Sequence, residues 1–337
     1  MHAYEIQGGF GLDHLKLVKR PDPAPGPGQV LLRMRAASLN YRDLMMVEGS
    51  YNPKQPLPLI PCSDGVGEVE AVGEGVTRLT VGDRVATLFC QGWMGGRPAV
   101  EELRSTLGGP LDGTLAELMV LPDQGVIRVP EHLSDGEAAT LPCAALTAWS
   151  ALVEQGRVTA GDTVLVQGTG GVSIFALQFA QLLGARVIVT SSSDDKLVQA
   201  RRLGAWQEIN YLDDLEWGKT ARALTGGVGV DHIVEVGGAG TLAQSLQAIR
   251  VGGEITLVGV LAGGASELSI VPVFMKQVRI QGLLVGSRQA FERMNRAIAQ
   301  HELRPVVDRV VPFAEARDAF EHLKSGAHFG KVCIGFE

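Results

Sequence analysis

A buried strand that runs through a glycine turn straight into an apolar helix leaves a chain few ways to fold, and residues 161–203 contain that pattern. Val164-Leu165-Val166 is a short apolar run of the kind found in a parallel strand covered on both faces. It enters Gly168-Thr169-Gly170-Gly171-Val172-Ser173, after which an apolar helix is expected from about Val172 to Leu183, stopped by Gly184. A second apolar run, Ala185 to Thr190, follows at once. The stretch predicts one strand-helix-strand unit of the dinucleotide-binding kind.

The glycines have separate tasks in such a unit. Gly168 permits the tight turn, and Gly170 lets a pyrophosphate approach the backbone. The helix start at Gly171 and Val172 supplies free N–H groups and a partial positive charge for the phosphates. The pattern usually closes on Gly or Ala; here that place is Ser173, small enough to keep helix and strand close.

With 337 residues, the chain has room for two domains with cores of their own. A hydrophobic share of 45%, a charged share of 20% and 43 glycines fit a globular α/β protein with many turns. The net charge of -7 and the lack of a basic stripe argue against nucleic acid or an anionic membrane as a partner. No run of about 18 apolar residues occurs, and the opening residues MHAYEIQGGFGLDHLKLVKR have no charged stretch leading into an apolar core. A cytoplasmic protein is expected. Cys62, Cys90, Cys143 and Cys333 lie far apart, with no Cys-x-x-Cys pair, so neither a local zinc knuckle nor a disulfide framework is indicated.

Residues 1–124 carry short β signals between Gly and Pro turns: Val30 to Arg35, Gly67 to Val72 and Asp83 to Leu88. Gln91 to Pro110 is expected to be a long irregular loop, with Trp93 and Met94 as apolar lining or surface packing. A helical period runs from Leu133 to Val153; Ser134 and Glu137 form a capping-box pattern, and Pro142 predicts a break or kink. Beyond the central unit, strands are expected at Glu208 to Asn210, His232 to Val236, Glu254 to Val260 and Val278 to Gly286, alternating with helices such as Leu242 to Ile249. They complete a doubly wound sheet of about six strands. An amphipathic helix follows Ser287 and runs to about His301.

Taken together, the chain from Val30 to Ile334 resembles the medium-chain dehydrogenase/reductase superfamily. The resemblance rests on Asn40-Tyr41-Arg42-Asp43, Ile60 to Gly67 (IPCSDGVG), Val81-Gly82-Asp83-Arg84-Val85, Leu141 to Trp149 (LPCAALTAW) and the glycine turn. It implies a GroES-like antiparallel β domain at 1–124, completed by 288–337, around a Rossmann domain at 125–287, with the active site in the cleft between them. By analogy with dimeric relatives, the edge strand near Leu257 to Leu261 is expected to pair with a second copy, giving a homodimer.

Zinc alcohol dehydrogenases of that superfamily hold their metal with a Cys ahead of an Asp, a Gly-His-Glu motif and a Cys before the Rossmann domain. Here those places read Asn40, Cys62-Ser63-Asp64 and Cys143. Asn40 and Ser63 are poor zinc ligands beside thiolate and imidazole, so no metal is expected. Alcohol oxidation draws on a Lewis acid to stabilise an alkoxide. Reducing an activated double bond asks chiefly for two planar molecules held together and a hydrogen bond or proton at the carbonyl oxygen. The sequence is most similar to the zinc-free quinone oxidoreductase branch, which implies hydride transfer to a quinone or α,β-unsaturated carbonyl substrate. The alternatives are an alcohol dehydrogenase using Asp64 and Cys143 for zinc, or a cofactor-binding protein with little turnover.

An acid at the end of the second Rossmann strand binds the ribose hydroxyls of NAD; here that place is Ser191, followed by Ser192. Hydroxyls tolerate a 2′-phosphate where a carboxylate repels it. By resemblance, Lys196 and Tyr211 contact that phosphate, so NADPH is expected, with NADH as the alternative because Asp194 and Asp195 are near. The resemblance places the nicotinamide end near Asn40, Thr147, Val236, Val258, Val260, Leu284 and Gly286, and has Lys331 reach the phosphates. Asn40, Tyr51 and Asp64 are the catalytic candidates, with Tyr41 a further residue of the cleft. Cys143 reads as a small core residue, since no His partner lies near it in sequence.

Overall fold

The computed structural model describes residues 1–265 and 267–336, and its chain divides into two compact units: 1–146 with 286–337, and 147–285. In the first unit, β1 (His2–Ile6) pairs antiparallel with β2 (Leu15–Lys19). The central strand β3 (Gln29–Ser38) pairs antiparallel with β4 (Asp64–Val72) and with β6 (Leu118–Pro122). β5 (Arg84–Thr87) joins β4 to β7 (Val126–Arg128). The face of β3 carrying Val30, Leu32 and Met34 packs with Val69, Val85, Met119 and Val126 into one apolar cluster. Alternation of side chains along each strand puts these residues on one side of the sheet.

Three short helices belong to this part: α1 (Tyr41–Val47), α2 (Val100–Leu103) and α3 (Asp135–Ala139). α2 gives one helical turn to the 91–110 segment expected to be irregular. α3 starts as its sequence predicts, with Ser134 Oγ accepting from Glu137 N and Glu137 Oε2 from Ser134 N. Pro142 then lies in a wider π turn, Leu141–Ala145, before α4 (Leu146–Trp149). A proline lacks the N–H that a regular α-helix would use there.

The second unit is a parallel sheet in the order β10-β9-β8-β11-β12-β13. Its strands are β8 (Thr163–Gln167), β9 (Arg186–Ser191), β10 (Gln207–Asn210), β11 (Val230–Glu235), β12 (Ile249–Leu257) and β13 (Arg279–Gly282). The connecting helices are α5 (Gly171–Leu182), α6 (Asp194–Arg202), α7 (Trp217–Leu224), α8 (Leu242–Ala248) and α9 (Val271–Met275). Strand order reverses between β8 and β11, the place where doubly wound sheets take their ligands. α5 buries Ile174, Phe175, Leu177 and Phe179, and the Phe175 and Phe179 rings stack 5.9 Å apart. Burial of each such side chain stabilises the fold by about 1.5–3 kcal/mol.

The chain returns to the first unit through α10 (Arg288–Gln300), whose N-cap Ser287 accepts from Ala290 N. β14 (Val307–Pro312), α11 (Ala316–Ser325) and β15 (Lys331–Gly335) complete that unit, with β15 antiparallel to β3.

Three expectations need correction. The first unit extends to Leu146 rather than 124, and its tail starts at Gly286 rather than 288, because β7 pairs with β5 and Cys143 N reaches Asp64 of β4. The strand ending at Leu257 is not a sheet edge: β13 pairs with it in parallel and is itself the outer strand. The two last Rossmann strands are also shorter than expected, ending at Leu257 and Gly282, and Val285 takes φ 51. That left-handed backbone is uncommon for a β-branched residue and ends strand geometry.

Candidate active site

The first unit gathers most of its polar candidates into one connected group. β3 ends at Ser38, and the turn into α1 presents Asn40, whose N donates to Asp43 Oδ2 at 2.8 Å. Lys331, the first residue of β15, sends its ammonium to Asn40 Oδ1 at 2.6 Å and to Leu39 O. Asn40 Nδ2 donates to Ser63 Oγ at 3.3 Å, Ser63 Oγ to Asp64 Oδ1 at 2.8 Å, and Cys143 N to Asp64 Oδ2 at 3.0 Å. Cys62, just before, takes φ 73, a conformation that residues with a side chain rarely adopt.

Asp64 and Asp43 are fully buried, and Lys331 is nearly so. Burial pushes the Asp64 carboxyl up to about 6; Asp43 adds to the rise, and Lys331 opposes it. Burial likewise raises Asp43, against the pull of Arg42. The Cys143 thiol is pushed well above its ordinary range by burial and by Asp64.

Asp64 was expected among the catalytic residues. Its side chain is out of solvent, and its two oxygens are engaged by Ser63 Oγ and Cys143 N. Lys331, expected at the phosphates, instead has its ammonium on Asn40 and Leu39. Tyr51 and Tyr41 are exposed, and the Tyr51 ring lies 5.0 Å from the Arg42 guanidinium, which also donates to Leu107 O and Gly109 O. Tyr51 thus flanks an arginine that ties α1 to the 106–111 segment.

In the second unit the turn after β8 has the expected form. Gly168 takes φ 70 and donates to Thr190 O at 2.7 Å. No protein atom lies within 4 Å of a Cβ built on Gly168 or Gly170, so packing does not require glycine at Gly170. The open space above that backbone is what a pyrophosphate needs. Gly171 and Val172 open α5, and Ser173, buried, donates to Gln167 O at 2.5 Å.

Ser191 and Asn210 are register partners at the ends of β9 and β10, and Tyr211 N donates to Ser191 O at 3.0 Å. Ser193 Oγ caps α6 by accepting from Lys196 N, so Ser191, Ser192, Lys196 and Tyr211 gather at one end of the sheet. Val236 and Val258 follow β11 and β12; Val260 and Leu284 are exposed, Thr147 is buried, and Gly286 falls in the first unit. Sequence reasoning passed over Gln167 and Glu235, the last residues of β8 and β11, which hydrogen-bond at 2.7 Å at the reversal of strand order. The signal was an acid followed at once by Val236-Gly237-Gly238 at the end of an apolar run.

The open glycine turn and the hydroxyl-lined end of β9 fit a nicotinamide dinucleotide. The donors at the superfamily's zinc places do not fit a zinc ion: Asn40 faces an ammonium, Ser63 is committed to Asp64, and the Cys143 thiol resists ionisation. Among the described residues, no group of three or more His, Cys, Asp or Glu side chains is placed to hold a metal ion.

Fold and site together define an oxidoreductase with a dinucleotide-binding sheet. Residues 26–131 match the alcohol dehydrogenase GroES-like domain, and residues 171–300 match the zinc-binding dehydrogenase domain. The chain is 42% identical over 331 residues to a zinc-type alcohol dehydrogenase-like protein of Schizosaccharomyces pombe, covering 96% of each. It is 31% identical to an acryloyl-coenzyme A reductase of Metallosphaera sedula, covering 93% of this chain and 94% of that protein. Among solved structures it superposes on an NAD-dependent alcohol dehydrogenase with a TM-score of 0.91 at 36% identity, covering 99% of both chains. A mycobacterial protein complexed with NADPH gives 0.83 at 29% identity, again covering 99% of both. The chain belongs to the medium-chain dehydrogenase/reductase superfamily.

Proposed function

We propose that this protein is an NADPH-dependent, zinc-independent reductase of activated carbon-carbon double bonds, acting in the cytoplasm on quinones, enones or enoyl thioesters. The observation that carries the reading is the Lys331 ammonium on Asn40 Oδ1, which puts a fixed organic cation where a metal centre would need free donor atoms. The acryloyl-coenzyme A reductase relative acts on a substrate of the conjugated class, and the NADPH complex is the source of the parallel for the cofactor.

Bound NADPH supplies the hydride. Gly168, Gly170, Gly171 and Val172 receive its pyrophosphate, and Ser191, Ser192, Lys196 and Tyr211 its 2′-phosphate. Val236, Val258, Val260, Leu284, Gly286 and Thr147 bound the nicotinamide. Asn40 offers its carboxamide to the substrate, and Lys331, Ser63 and Asp64 hold that carboxamide in one orientation. The protein partner is another copy of this chain, through the outer strand β13 and the exposed Ile270, Phe274 and Met275.

Steady-state assays with each nucleotide test the reading: NADPH consumption with enones and quinones supports it. Turnover confined to simple alcohols with NAD, and lost on chelation, overturns it.

A further inference from the structure

We infer that Glu235 is a positioning residue for the nicotinamide half of the cofactor site, its buried carboxylate setting the backbone turn that fixes Val236, Val258 and Val260. The inference rests on the dinucleotide reading above and goes beyond it to a residue that no cofactor atom need touch.

Glu235 is fully buried. Oε1 accepts from Gly237 N and Gly238 N, both at 3.0 Å, and from Thr241 Oγ1 at 2.5 Å. Oε2 accepts from Gln167 Nε2 at 2.7 Å and Ser245 Oγ at 2.5 Å. All five donors are neutral. An acid out of water costs stability unless its acceptor sites are filled, and these fill them with groups from β8, the turn after β11 and α8. An apolar side chain would pack a strand end at less cost, so packing does not account for this arrangement.

What the carboxylate holds is a turn with little freedom of its own. Gly238 takes φ 79, and a Cβ on Gly237 would lie 2.3 Å from Thr241 Oγ1. The far side of the turn grips the segment after β12: Leu261 N donates to Val236 O at 3.1 Å, Ala262 N to Gly237 O at 2.7 Å, and Ala239 N to Gly263 O at 2.9 Å. Val258 N donates to Glu235 O at 2.9 Å. One carboxylate thus sets the paths of residues 236–241 directly and 258–263 through them. The end of β9 faces the adenosine ribose in a doubly wound sheet, which leaves the ends of β11 and β12 to the nicotinamide side.

The test is Glu235→Gln in the full chain. The amide turns one acceptor atom into a donor facing donors, leaving at least two groups unsatisfied. Dissociation constants are measured for NADPH and for 2′,5′-ADP, which carries only the adenosine side, alongside thermal unfolding. The expected result is NADPH binding weakened at least about tenfold with 2′,5′-ADP held within about twofold, partly recovered by Glu235→Asp. Equal losses for both ligands, or none for NADPH, overturn the inference. Should Glu235→Gln fail to fold, Ser245→Ala removes one donor and is expected to show the same selectivity in smaller degree; unchanged NADPH affinity in that folded variant overturns it. Wild-type protein that binds 2′,5′-ADP but not NADPH overturns the cofactor reading and the inference with it.

Discussion

The Lys331 ammonium lies 2.6 Å from the carboxamide oxygen of Asn40, joining the last strand of the first unit to the start of its first helix. This contact fixes which end of the Asn40 amide points to Ser63, and so orders the hydrogen-bond chain that ends at Cys143 N. Replacing Lys331 with Met leaves two buried acceptors, Asn40 Oδ1 and Leu39 O, without their donor. The expected cost is about 1–3 kcal/mol of stability, with a fall in kcat larger than any change in the KM for NADPH. Chemical denaturation and steady-state kinetics on the variant check this.

Asp64 gives the protein a defined dependence on pH. Its carboxyl is held near 6 when folded against the ordinary 3.8, so the native state binds this proton more tightly than the unfolded chain does. The stabilisation from protonating Asp64 is full below about pH 4 and is lost as pH rises through 6, a swing of about 3 kcal/mol. Asp64→Asn removes that component, so the difference between wild-type and variant unfolding free energies changes between pH 4 and 6.5 and is flat above it. Denaturation series across that range measure the difference. Lys331→Met removes a charge that opposes the rise, so its midpoint is expected above that of the wild type.

Much of this was legible in the sequence for physical reasons. The β8 turn, α5 and the capping box of Ser134 and Glu137 follow from local rules in which glycine, apolar runs and a hydroxyl each have one task. The Asn40 and Ser63 places were legible by resemblance, as residue types that are poor zinc ligands. What joins them was not: Lys331 lies far along the chain, and only the pairing of β15 with β3 brings it to Asn40. Glu235 was hidden similarly, since its five donors come from three separate stretches. The 22-residue misplacement of the first boundary, from 124 to 146, arose because β7 and the π turn pair and pack non-locally.

The glycine turn makes a separable prediction. Gly170→Ala adds a methyl group to space that no protein atom occupies, so thermal stability is expected to change little, by about 1 kcal/mol or less. The KM for NADPH is expected to rise about tenfold or more, because the methyl takes the room left for the pyrophosphate. Lys196→Ala is expected to raise the KM for NADPH about fivefold while leaving NADH unaffected, consistent with one partly exposed ion pair.

The four thiols are expected to be poorly reactive at neutral pH. Burial raises Cys143 and Cys62 well above the ordinary range and carries Cys90 to about 12 and Cys333 to about 11. Iodoacetamide at neutral pH should modify the native protein far more slowly than the unfolded chain, read by mass spectrometry. Cys143→Ala should keep turnover within about threefold, the scale of a small packing change.

Association is testable at α9 and β13. Ile270 and Met275 are each 69% exposed and Phe274 61%, a large apolar surface near the strand that, among the described residues, ends the sheet. Sedimentation velocity is expected to show a dimer for the wild type and a monomer for Phe274→Glu.

The central claim is reduction of a conjugated double bond by NADPH without a metal. Its most direct measurement is NADPH absorbance followed in chelator-treated protein of measured zinc content, with a simple enone, a quinone and a primary alcohol with NADP compared side by side. The account predicts NADPH loss with the enone or quinone, unchanged by chelator, in protein carrying no stoichiometric zinc. Stoichiometric zinc with turnover of the alcohol alone, abolished by chelation, would contradict it.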